Sequence, residues 1–151
     1  MTARCYLLTA DGSLEGDPLG FTSTAPSELE QLVLVSLFSD ARAGDDEDPG
    51  DGTSNRRGWF ADAFFDGADT GAAPSIGSRL WLLRRQTATP ANVAAARKLI
   101  ADALAWLVSA GIASAVDVVA QRYGIDRVDL QVTVSRDGRS TALRFAGLWG
   151  Q

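Results

Sequence analysis

The sequence predicts an α+β fold: N-terminal short strands and a helix, a long central helix, and a C-terminal three-stranded antiparallel meander. A proline-initiated run with helical spacing reaches from Pro90 to Ala110, the apolar period becomes twofold after Gly111, and Asp137-Gly138 separates two alternating segments. Helical material followed by a run of strands is the pattern of segregated elements, in which an antiparallel sheet packs one face against helices. At 151 residues the chain has the size of one ordinary domain, so residues 1–151 are read as a single unit.

Taken in order, residues 2–23 read as a short extended segment, a turn at Asp11-Gly12 and a second short strand around Leu19–Thr22. Ser27-Glu28-Leu29-Glu30 is a capping box, in which the serine hydroxyl and the glutamate side chain satisfy each other's backbone N–H. A helix therefore starts there, carries Leu29, Leu32, Val33 and Leu37 at helical spacing, and is expected to end near Asp40. An acidic loop at about 44–55 and a small-residue loop at about 66–75 are too polar or too rich in turn residues to bury, and both read as insertions in one domain.

Thr89-Pro90 gives the central helix a capping residue and a proline at its first position, and Gly111 closes it. Val93, Ala96, Ile100, Ala103, Leu104 and Leu107 form one face, widened by Leu99 and Trp106. Ile112, Val116, Val118 and Ala120 then alternate as a strand, followed by Leu130–Val134 and Thr141–Phe145. A two-residue loop at Asp137-Gly138 sets Val134 opposite Thr141, Val132 opposite Leu143 and Leu130 opposite Phe145. Gln131, Thr133, Ala142 and Arg144 then share the other face, expected to be open to water or a partner.

Composition narrows function mainly by exclusion. The chain has no histidine and one cysteine, Cys5, which removes Ser-His-Asp and Cys-His catalysis, zinc sites of the common Cys/His types and any intrachain disulfide. A formal net charge of −5 disfavours nonspecific nucleic-acid binding, and the apolar runs are far shorter than a membrane span. No secretory leader is evident at Met1–Thr9, so synthesis and use in the cytosol are expected.

Asp45, Asp46, Glu47, Asp48 and Asp51 lack the alternating ligand pattern of a calcium loop and read as a solvated charge run; the Gly16–Gly20 segment lacks the Lys and Ser/Thr of a nucleotide loop. No catalytic, cofactor or metal residue is assigned. Ser78–Arg85 interleaves aliphatic and aromatic bulk with Arg79, Arg84 and Arg85 around Trp81. Core packing and a partner interface are about equally good readings of it.

Several segments together resemble a known family. They are Ser36–Ala43 followed by Asp45-Asp46, Arg56–Asp62, Ile76–Arg85, Ala103–Leu107 with Gly111–Ala113, and Phe145–Trp149. In order, spacing and length, from about residue 11 onward, the chain resembles the small Mu-like phage baseplate wedge proteins, related to the sheath initiators of larger contractile tails. Phe60-Ala61 departs from the family's Trp-Gly, which bears only on local packing.

The resemblance implies a non-enzymatic structural role in the virion, at the tail baseplate, after assembly in the host cytoplasm. Copies would surround the tube, held by other baseplate wedge proteins, and offer their terminal sheet to the tail sheath protein, with tail tube or hub proteins as further neighbours. A hairpin with an unpaired edge can accept an added strand, so residues 128–147 are expected to face the sheath, through Val128, Leu130, Gln131, Thr133, Thr141 and Arg144. Proline at Thr133 or Arg144 is expected to block that pairing. Trp59, Arg79, Trp81, Arg84 and Arg85 are assigned to core or wedge contacts. Because related sheath-initiator proteins carry a lysozyme label, a peptidoglycan hydrolase is the enzyme alternative, and a soluble regulatory binding module of the same fold is a third reading.

Overall fold

The computed structural model describes residues 2–8, 14–16, 27–49, 52–58, 76–84, 86–123 and 127–147, the first two ranges as backbone pairing only. The elements run β1 (Thr2–Leu8), β2 (Leu14–Gly16), α1 (Glu28–Phe38), a 3₁₀ turn (Leu80–Leu83), α2 (Pro90–Ser109), β3 (Ala115–Tyr123), β4 (Arg127–Arg136) and β5 (Arg139–Ala146). The predicted strand at Leu19–Thr22 and the Asp11-Gly12 turn lie outside the described residues.

Both helices begin as their caps dictate. Ser27 N–H donates to Glu30 Oε2 at 2.6 Å, and Glu30 N–H donates to Ser27 Oγ at 3.4 Å. Thr89 Oγ1 accepts from Asn92 N–H at 3.2 Å, ahead of Pro90. α1 stops at Phe38, slightly earlier than expected, because Ser39 turns to extended backbone and Asp40 enters a parallel bridge with Ser78.

The C-terminal meander is present, and its hairpin has the predicted register: Val134↔Thr141, Val132↔Leu143 and Leu130↔Phe145. Asp137 and Gly138 both sit at positive φ, 50° and 73°, as a tight two-residue loop requires. The meander is nonetheless three strands of a larger sheet. Its order is β2-β1-β5-β4-β3, with β1 running parallel to β5 from Thr2↔Thr141 to Leu7↔Ala146.

One face of the sheet carries the core. Val118, Leu130, Val132, Val134, Leu143 and Phe145 pack against Val33 and Leu37 of α1 and Ile100, Leu104 and Leu107 of α2. Fully burying each such side chain stabilises the fold by about 1.5–3 kcal/mol. Phe38 meets Phe145 edge-on, with ring centroids 5.4 Å apart. Trp106 Nε1 donates to the buried Ser36 Oγ at 3.0 Å, so the two helices are joined without leaving that hydroxyl unpartnered.

Candidate partner-binding surfaces

The first surface is a loop platform beside the end of α1. Ala41 N–H donates to Ser78 O and Ser78 N–H to Ser39 O, while Ser78 Oγ donates to Leu37 O at 2.6 Å. Gly77 permits this approach: its φ is +117°, and a Cβ there would lie 2.4 Å from Ser39 O. Trp81 is buried and its Nε1 donates to Ala41 O at 2.8 Å. Over its ring lies the Arg57 guanidinium, 4.6 Å from the centroid, which also donates to Asp40 Oδ2 at 2.8 Å.

The acidic run is more structured than a solvated loop. Glu47 accepts from Arg79 at 2.8 Å and from Gly44 N–H at 2.7 Å, and Asp45 pairs with Arg56. Asp45, Asp46 and Asp48 are exposed, as expected, whereas half-buried Glu47 is docked by Arg79. Trp81 and Arg79 thus serve packing and internal pairing. Arg84 is exposed, and Arg85 and Trp59 lie outside the described residues.

The sheet face away from the helices is the second surface. Arg127 bridges Asp129 through two 2.7 Å bonds and stacks on exposed Tyr123, and Arg144 Nε donates to Gln131 Oε1 at 3.0 Å. Burial pushes the Asp129 carboxyl up, but the Arg127 hydrogen bond, the Gly147 N–H and the Arg127 charge outweigh it and hold the group below its ordinary value. Val119, Gln121, Tyr123, Gln131 and Arg144 border a shallow groove of about 450 Å³ here.

The predicted sheet contacts divide between the two faces. Gln131, Thr133 and Arg144 lie on the outer face, with Arg144 exposed and the other two half-buried. Val128 and Leu130 are 0% and 2% exposed in the core, and half-buried Thr141 shares their side of the sheet. The Val128 and Leu130 side chains are enclosed in this chain's core and are not offered to a partner while the core is closed. Ala142, expected to be open, is buried despite lying on the outer face.

The third surface is the sheet edge, and here the expectation of an unpaired β5 is overturned: β1 covers it. Among the described residues the meander's open edge is β3. In a two-residue hairpin the closing pair, Arg136↔Arg139, exchanges hydrogen bonds, and the bonding direction then alternates along β4. That alternation turns the backbone groups of Ala115, Asp117, Val119, Gln121 and Tyr123 toward β4 and those of Val116, Val118, Ala120 and Arg122 outward. Thr133 and Arg144 instead bond inward, toward β3 and β1, so proline at either breaks this chain's own sheet.

Sequence reasoning missed the β3 edge and the exposed Val119 and Tyr123 on it. The available signal was an apolar Val119 out of phase with the inward-facing Val116-Val118-Ala120 set.

Residues 29–141 match the family model described as "Phage protein GP46". The chain is 44% identical over 103 residues to "Baseplate protein gp46" of Escherichia phage Mu, a match covering 68% of this chain and 66% of that protein. It is 30% identical over 122 residues to "Mu-like prophage FluMu protein gp46" of Haemophilus influenzae, covering 80% of this chain and 78% of that one. The matched range takes in nearly all of α1, the loop platform, α2, β3 and β4, and the chain belongs to the phage protein GP46 family.

Proposed function

We propose that this protein is a structural, non-catalytic part of a contractile-tail baseplate that is held by wedge proteins and nucleates the first ring of sheath by accepting a strand at β3. The observation that carries the reading is the open β3 edge in a chain whose relative from phage Mu is named a baseplate protein. An added strand would gain main-chain hydrogen bonds from Val116, Val118 and Ala120, which set both register and affinity. The platform, with Arg84 exposed beside it, is the wedge-facing side in this reading. Asp129 does not suit the acid of a glycosidase, which needs a raised carboxyl, because its partners lower it.

Deleting β4 and β5 to test this would remove Val128, Leu130, Val132, Val134, Leu143 and Phe145 from the core, so an edge variant is the better probe. Ala120→Pro removes an outward N–H and leaves the ladder to β4 intact. Co-purification with candidate wedge and sheath subunits is expected to give wedge capture by both wild type and Ala120→Pro, but sheath capture by wild type alone. Equal sheath capture by a folded Ala120→Pro protein would reject the β3 edge as the acceptor.

A further inference from the structure

A separate groove of about 640 Å³ runs between α1 and α2. Leu32 and Val35 form one wall and Leu99, Ala103 and Trp106 the other, and Ala41, Arg42 and Gly44 with Ile76–Arg79 close one end. Val35 and Ile76 are 52% and 36% exposed, a large amount of aliphatic surface to leave in water. Of the polar groups in the walls, Ser36 Oγ is bound by Trp106 and Ser78 Oγ by Leu37 O, and Asp102 adds an exposed carboxylate on α2. An extended peptide laid here would leave most of its backbone N–H and C=O groups unmet, whereas a helix satisfies them internally.

Charge sets the orientation. Arg42, at the closed end, is exposed and among the described residues has no hydrogen bond or ion pair, whereas neighbouring Arg79 is held by Glu47 and the acidic lining residue Asp102 lies on α2. The α2 wall between Leu99 and Trp106 is about 10 Å long, or two helical turns. We infer that this groove binds an amphipathic helix of a neighbouring protein, with aliphatic anchors at i, i+3/i+4 and i+7 and its negative, C-terminal end at Arg42. The site is distinct from β3, so its failure leaves the edge test unaffected.

The test uses the full chain and two fluorescein-labelled, N-acetylated, 15-residue Ala/Leu helices of about two functional turns, identical except for Glu or Lys in the last turn. Fluorescence anisotropy is expected to show saturable binding, about fivefold or more tighter for the Glu peptide, with the preference reversed by Arg42→Glu. Ala103→Trp, which fills the groove, is expected to weaken binding about tenfold or more. Val35→Asp, at a wall position already exposed, gives the same readout should Ala103→Trp fail to fold. Absence of saturable binding, equal binding of the two peptides by wild type, or unchanged affinity in a folded Ala103→Trp or Val35→Asp protein would overturn the inference. So would concentration-dependent dimerisation abolished by Val35→Asp, which would assign the groove to a second copy.

Discussion

The two faces of the sheet are held together in different ways. Against the helices, Val118, Leu130, Val132, Val134, Leu143 and Phe145 form a continuous apolar layer in which every neighbour depends on the next for close packing. On the far face Arg127–Asp129 and Arg144–Gln131 are discrete polar pairs between partly exposed groups, each partner able to exchange its bond for water. Substitutions in the layer should therefore be read in stability, and those on the outer face in binding.

Leu104→Ala is the strongest challenge to this contrast. It empties a fully buried position between α2 and the sheet and is expected to cost about 2–5 kcal/mol in urea unfolding. Gly77→Ala should follow, at about 1–3 kcal/mol, because the added Cβ meets Ser39 O and forces the Ser39–Ser78 bridge apart. If Gly77→Ala proves neutral, the platform is not a rigid extension of the core.

Smaller effects sharpen the comparison. Asp129→Asn removes the charged partner of Arg127, and its effect should depend on pH in a defined direction. Because folding lowers the Asp129 pKa, its stabilisation is fully present above the ordinary carboxylate value of about 4 and is lost as pH falls through the lower, folded value. The stability gap between wild type and Asp129→Asn should accordingly narrow in chemical unfolding repeated from pH 6 down to pH 2. A constant gap would show that Asp129 acts through packing. Gln131→Ala should change stability by no more than about 0.5 kcal/mol, and a larger loss would mean that the outer face contributes to the fold as the inner one does.

The difference between faces also explains what sequence reasoning reached. The inner face was readable because its residues obey the twofold period of β4 and β5 and because Asp137-Gly138 leaves one tight register. Placing Val128 and Leu130 at an interface contradicted that same period, which puts them in phase with Val132 and Val134. The platform was less legible. Arg79 and Glu47 lie far apart in the chain, and the Gly77 turn, the Ser78 bridge and the Trp81–Ala41 hydrogen bond bring their segments together.

By itself the sequence determined the elements governed by near neighbours: the Ser27–Glu30 box, the Thr89-Pro90 start of α2, and the β4–β5 hairpin. Each is set by a hydrogen bond or loop conformation spanning only a few residues, so the local pattern contains the whole cause. Only the tertiary structure decided which edge stays open. The β1–β5 ladder joins backbone groups from opposite ends of the chain, and backbone groups are alike at every residue. Their pairing follows from how the intervening helices bring the strands together, which moves the free edge from β5 to β3.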